Sequence, residues 1–416
     1  MIHKIKNFIK NNRLFFIVVK KIYNLVFPIF PYSLRKEKKA LINVLKSQKW
    51  NMSHGEHLVH HLLEKEFAEY IGVKHAIAVN TGGMAIQMSL RALNLQYNDE
   101  VIHQIDTCIA NPFAILNANV TPVFSDISEA NFHLNFDDLE KQINENTKVI
   151  MPIHIWGYPE NMENVLKVAK KYNLIVIEDC ALALGAEYNG QKVGSIGDFG
   201  IFSFGSGKPI QAGEGGMITT NDDNLAKKLR TIRNWGEMSF EYGVRDHEIL
   251  SWNGRMSEFV AAIALEQLRA YPKFLSNVQN NINKIKRIIE QINGLSVVEM
   301  ANSNPSYMQL IIKIEDDCKL SKSQLFTFFE SYSIAVWHAN FEPIISLRFY
   351  KDDKEWRKWI MKDNCDKISQ NYKRDYITSN KVYNSTGLGF MRNNFISYTN
   401  TLRLTYVLKK LMKEIN

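Results

Sequence analysis

Cysteine is scarce. Four residues, Cys108, Cys180, Cys318 and Cys365, are spread along 416 positions with no C-x-x-C spacing. That argues against a zinc site or a disulfide scaffold and fits a reducing cytoplasm. Long apolar runs are also missing from the N-terminal stretch. Its longest, Leu14 to Val19, falls far short of the roughly 20 residues a spanning helix needs. A secretory leader would want a longer apolar core and a small-residue cleavage site. The chain shows no internal repeat and no low-complexity tract. Its formal net charge of +8 belongs to one end: residues 1–46 hold eleven Lys and Arg against the single acid Glu37, or +10, so residues 47–416 carry −2. A nucleic-acid role for the body of the fold therefore has no support. With 45% hydrophobic and 23% charged residues, what is left is an ordinary globular composition, long enough for two or three domains.

The most informative stretch is Ser203 to Met217, SFGSGKPIQAGEGGM. Its one lysine, Lys208, follows a short apolar strand (GIFSF), precedes another (MITT), and has small residues around it. A loop placed this way by a sheet offers an amine to a carbonyl for Schiff-base chemistry. The phosphate-binding pattern GxxxxGK[ST] fails here, because Phe202 takes the first glycine position and Pro209 the Ser/Thr position. Upstream, the strand NLIVIEDC ends in Asp179. Strand, acid, short hairpin, strand, lysine is the layout of a pyridoxal phosphate (PLP) site, where an Asp pairs with the ring nitrogen and a Lys holds the aldehyde.

Residues 5–33 interleave aromatic and aliphatic residues with lysines. This suits a helix lying on an anionic membrane surface, while the plainer alternative is an arm packed across a dimer partner, since half-buried basic helices are common in oligomers. The expected location is cytoplasmic, with peripheral contact at the inner face of the membrane if the arm takes the first role.

From Lys36 the pattern turns helical, and HLVHHLLEKEFAEYIG is a second amphipathic helix capped by Gly72. His57, His60 and His61 share a face of it, but no acidic partner follows, so no metal site is expected. HAIAVN is a buried strand running into TGGMAIQMSLRALNL, with the helix expected just after Gly82-Gly83. Glycines at such a turn let backbone N–H groups approach a phosphate. VIHQ, a helix from about Ile109, TPVFSD, KVIMPIHIWG, a helix Met162 to Tyr172 and NLIVIED then alternate as in a parallel sheet covered on both faces. Ligands bind such sheets at the carboxyl ends of the strands, where Gly82, Asp106, His154, Asp179 and Ser203 all fall. NDDNLAKKLRTIRNWG reads as a helix N-capped by Asn221, and a long helix from about Met256 leads to a smaller α/β unit. The expected division is a basic arm at 1–35, a large domain at 36–274 and a small C-terminal domain at 275–416.

These segments, with GEGGMITTNDDNLAKKLRTIRNWGE and NGRMSEFVAAIALEQL, resemble the DegT/DnrJ/EryC1/StrS aminotransferases over about Lys38 to Pro272. The resemblance implies the PLP-dependent transferase fold type I (aspartate aminotransferase-like): a large domain with a mixed, mostly parallel sheet and a smaller C-terminal α/β domain. By motif, Lys208 would bind the cofactor aldehyde and Asp179 its ring nitrogen. Ser203 with the backbone of Gly82, Gly83 and Met84 would hold the phosphate. Asn253, in NGRM, would reach the phosphate of a neighbouring subunit, implying a homodimer with shared sites. The expected partners are glutamate or glutamine as amino donor and a keto-sugar nucleotide or cyclitol as acceptor. Four positions depart from the family pattern. Leu182 replaces a Gln near the cofactor's phenolic oxygen, Leu184 a His, Cys108 an aromatic that stacks on the ring, and Gly83 a phosphate-binding Thr. Each removes a contact worth on the order of 1 kcal/mol. Those losses and the basic arm keep open a non-catalytic relative that docks to a membrane or partner. A PLP-dependent sugar dehydratase is opposed by Lys208, which that branch replaces by His.

Overall fold

A computed structural model describes residues 34–52, 58–237, 247, 249–352 and 371–416. The basic arm, His57 and most of the loop before Trp252 lie outside the described residues. Two N-terminal helices, α1 (Leu34–Ser47) and α2 (Val59–Ile71), precede a seven-stranded sheet. α2 ends as expected on Gly72 in the left-handed conformation, φ 89°. The sheet holds β1 (His75–Val79), β2 (Glu100–Gln104), β3 (Thr121–Ser125), β4 (Thr147–Ile150), β5 (Ile175–Asp179), β8 (Phe199–Ser203) and β9 (Gly216–Thr220) in the order β1-β9-β8-β5-β4-β2-β3. β9 alone runs against its neighbours; the other strands share one direction. The strands are buried almost throughout because helices cover both faces.

Between β1 and β9 lie helices α3 (Gly82–Ala92), α4 (Ala110–Asn117), α5 (Phe136–Gln142) and α6 (Met162–Tyr172), and the expected short hairpin, β6 (Glu187–Tyr188) and β7 (Gln191–Lys192). Helix α7 (Asp223–Arg233) is N-capped by Asp222, whose carboxylate accepts from the amides of Asn224 and Leu225. The expected cap, Asn221, instead accepts from the Lys74 amide at 2.9 Å. α3 opens at Gly82 rather than after Gly83, with Thr81 as its cap. His60 pairs with Glu258 in the core, Nδ1 to Oε1 at 2.5 Å, so it is a packing residue.

The 32-residue helix α8 (Glu258–Ile289) runs between two apolar cores. Its first half, from Ala261 to Leu275, packs against α2, Phe202 and Phe204. Its second half, from Val278 to Ile289, packs under a second, antiparallel sheet of β10 (Leu295–Val297), β12 (Gln309–Ile314), β14 (Gly387–Met391) and β13 (Val336–His338). α9 (Lys322–Ser331) and α10 (Tyr398–Ile415) complete that part. β11 (Ser303–Asn304) pairs back onto β6.

A second link joins the two parts at the carboxyl ends of β2 and β3. Asp126 accepts the amides of Thr378 and Ser379 at 3.1 and 3.0 Å. Asp106 accepts from Asn340 Nδ2 at 2.5 Å and from the Ser379 hydroxyl. Arg374 pairs with Asp138. Burial raises the Asp106 carboxyl from 3.8 to about 7, against the lowering pull of its two hydrogen bonds and with a further push from Asp126. An acid raised on folding binds more protons folded than unfolded, so its stabilising effect is full below the ordinary value and is lost as pH rises through about 7. The Asp106 contribution to thermal stability should thus fall between about pH 4 and about pH 7. Asp106→Asn, which mimics the protonated acid, should flatten that slope in melting curves taken across the range.

Candidate active site

The lysine loop is pinned on both sides of Lys208. The Phe204 amide donates to Gly215, the Ala212 amide donates back to Phe204, and Lys208 N donates to Gly205 O at 3.3 Å. Ile210 is fully buried beside Phe204 and Ala212. From α8, the Gln267 side chain accepts from the Gln211 amide and donates to its carbonyl, at 2.8 and 2.9 Å, and donates to Glu37 of α1 at 3.0 Å. Burial raises the Glu37 carboxyl, against the Gln267 hydrogen bond. Two helices therefore fix the loop, while Lys208 itself is partly buried. Among the described residues its amine has no ion-pair or hydrogen-bond partner, so it is left for a ligand.

Asp179 ends β5 in register with Ile201 of β8, so Asp179 and Ser203 leave adjacent parallel strands at the same end. The Asp179 backbone is clamped by Pro152 O and His154 N, and its Oδ1 accepts from the Ala181 amide at 3.0 Å. Its Oδ2 accepts from Asn111 Nδ2 at 2.7 Å. Across the sheet end, Ser203 sits against the start of α3. A Cβ on Gly82 would fall 2.8 Å from Ser203 Cβ, and a Cβ on Gly216 would fall 2.7 Å from the Thr81 carbonyl. Thr81 Oγ1 accepts from the Met84 amide at 3.0 Å. The amides of Gly82 and Gly83 precede the first turn's carbonyls and have no acceptor within their own helix. With the helix dipole they form an anion cradle beside the Ser203 hydroxyl. A Cβ on Gly83 would meet nothing within 4 Å.

The other expected residues part company. His154 is fully buried: its Nδ1 accepts from the Glu160 amide at 2.9 Å and its Nε2 donates to Glu178 at 3.0 Å. It belongs to the sheet's interior, as Asp106 belongs to the link with the C-terminal part. His154, Glu178 and Cys180 lie close enough to suggest a metal. Their ligand atoms are already used, however, since Glu178 also accepts three amides, and burial pushes the Cys180 thiol well up. Leu182 and Leu184 are buried in two apolar clusters. Cys108 is partly buried on the loop before α4. Asn253 is exposed, and its Oδ1 accepts from the Arg255 amide at 3.3 Å. Sequence reasoning missed two residues here. Thr81 carried a signal, a Thr immediately before an apolar helix. Asn111 did not, because an Asn-Pro pair reads as a helix start.

Residues 32–371 match the DegT/DnrJ/EryC1/StrS aminotransferase family. The chain belongs to that family, whose enzymes use PLP. It is similar to the GDP-perosamine synthase of Vibrio cholerae, at 32% identity over 74% of this chain and 83% of that protein. It is 43% identical to the GDP-perosamine synthase of Caulobacter vibrioides over 55% of this chain, a match spanning 60% of that protein's length. An aminotransferase from Psychrobacter cryohalolentis superposes with a TM-score of 0.80 at 27% identity, covering 93% of this chain and 98% of that one. The fold is thus fold type I, as expected from the resemblance.

The residues present fit the cofactor: an uncommitted amine, an acceptor carboxylate at a strand end, and free amides with a hydroxyl for a phosphate. Gly82→Ala should force α3 away from Ser203, lowering stability by about 1–3 kcal/mol and weakening PLP retention. Gly83→Ala, placed in open space within a helix, should leave the melting temperature equal or higher. Thermal melts and PLP titrations of the two variants check this.

Proposed function

We propose that this protein moves an amino group from glutamate or glutamine to the keto carbon of a nucleotide-linked sugar, as an aminotransferase of polysaccharide or secondary-metabolite synthesis. The observation that carries this reading is the partnerless Lys208 on a loop pinned by Gln267, set at the same sheet end as Asp179 and the cradle. The relatives' name, GDP-perosamine synthase, supports a nucleotide-linked substrate over a cyclitol.

When bound, PLP supplies an electron sink that accepts the donor's amino group and passes it on. Lys208 Nζ would anchor it at the aldehyde with loss of water; displaced there by the donor's amine, the freed Nζ would take the donor's α-proton as a base and return a proton as an acid. Asp179 would accept a hydrogen bond from the ring nitrogen. The Gly82 and Gly83 amides and Ser203 Oγ would hold the phosphate, while the Met84 amide, expected to join them, is committed to Thr81 Oγ1. Leu182, buried on the loop after β5, and Cys108, on the loop before α4, would line the cofactor's side of the site. The large domain ends near residue 274, where α8 changes cores. A homodimer completes the site, with Asn253 of each copy reaching the other's phosphate. Exposed Leu45 on α1, Leu62 on α2 and Trp50 just after α1 give such a partner an apolar surface. No described helix is long and apolar enough to cross a membrane. Membrane contact through residues 5–33 and a cytoplasmic location are part of the proposal.

Purified protein given PLP should show a visible absorption band that Lys208→Ala lacks and that glutamate or glutamine bleaches. No band at saturating PLP would remove the reading and leave the non-catalytic relative in its place. Turnover assays with keto-sugar nucleotides and inososes then separate the two substrate classes.

Shared sites have their own check. Lys208→Ala and Asn253→Ala, each nearly inactive alone, should regain activity when refolded together, because mixed dimers contain one intact site. If sites are not shared, the mixture stays as inactive as its parts.

A further inference from the structure

We propose that Asn111 is a positioning residue for this reaction, setting the Asp179 carboxylate so that the cofactor's ring nitrogen keeps its proton. The proposal rests on the aminotransferase reading and adds a residue that the family resemblance did not bring.

Asn111 lies in the first turn of α4 and is only 3% exposed. Its amide nitrogen donates one hydrogen to Asp179 Oδ2 at 2.7 Å and the other to Thr107 Oγ1 at 2.8 Å. Both hydrogens of the amide are thus spent, and its orientation is fixed: a flipped amide would set its oxygen against the carboxylate. The far side of the carboxylate is held by the Ala181 amide on Oδ1, and the Asp179 backbone is held by Pro152 and His154. Asn111 is therefore the side chain that stops the carboxylate rotating about its last bond. Both partners of the carboxylate, the Asn111 amide group and the Ala181 amide, are donors, so it serves them as an acceptor. An aimed acceptor is what a protonated ring nitrogen requires. The loop just ahead of α4 carries Thr107 and Cys108, so one continuous segment places Cys108 and aims the carboxylate.

Without Asn111, Oδ2 loses a charge-assisted hydrogen bond in a buried setting. The carboxylate can then turn away, and the ring nitrogen loses the acceptor that holds its proton.

The test uses holoenzyme loaded with PLP isotope-labelled at the ring nitrogen, read by nitrogen NMR beside PLP affinity and melting temperature. Wild type should show a protonated ring nitrogen. Asn111→Leu should move the resonance toward the unprotonated position and weaken PLP binding about 10- to 100-fold, the range for losing a hydrogen bond to a charged group. Asn111→Ser, which restores a short donor, should recover part of both changes. Thr107→Val, which frees the second amide hydrogen, should shift the resonance less and in the same direction. If Asn111→Leu does not fold, the Ser and Val variants carry the test. An unmoved resonance with only a lowered melting temperature would make Asn111 a packing residue and overturn the proposal. Failure of wild type to take up PLP overturns the aminotransferase reading, and this proposal with it, and is distinguished by being seen before any variant is made.

Discussion

Glu178 is an acidic side chain closed off from solvent, and the sheet end is organised by what satisfies it. It is fully buried and accepts from His154 Nε2 and from the amides of Gly194, Ile196 and Gly197 at 2.7–3.0 Å. A buried charge is tolerable only when its lone pairs are met in this way. Meeting them ties the end of β4 to the end of β5 and to the turn that enters β8. Asp179, on the next residue, and Ser203, at the far end of β8, thereby keep a common frame. Gly194 makes the clasp possible: its φ of +85° turns the chain, and a Cβ there would fall 2.5 Å from the Phe202 ring.

Strand positions were readable because a parallel sheet covered on both faces demands short, wholly apolar runs. The direction of β9 was not readable, since direction is a property of pairing and not of side chains. The same limit governs the site. Topology says which residues reach the carboxyl ends of the strands, but not which way their side chains turn once neighbours compete for them. Gly82, Asp179 and Ser203 stay at the site because small size or backbone geometry holds them there. His154 and Asp106 are drawn off by better partners, Glu178 in one case and Asn340 with Ser379 in the other. Asn111 reaches Asp179 across 68 positions of chain, a pairing that no local pattern announces.

The departures from the family pattern change character once placed in the fold. Leu182 and Leu184 are members of apolar clusters that would resist a polar side chain. On the function proposed above, drier surroundings would offset hydrogen bonds lost around a bound ring, and the binding load would fall on the helix start, Lys208 and Asp179.

One helix is shared by both cores, and Phe274 near its middle packs against each of them. Pro272 sits just ahead of that point without breaking the helix, although it removes one backbone hydrogen bond there. Neither core can melt alone without stripping apolar contacts from a rod roughly 48 Å long that the other still holds. Loss of either half would strip contacts from the other, which couples their stabilities. A chain divided at this junction would leave each fragment with a naked half of the same helix.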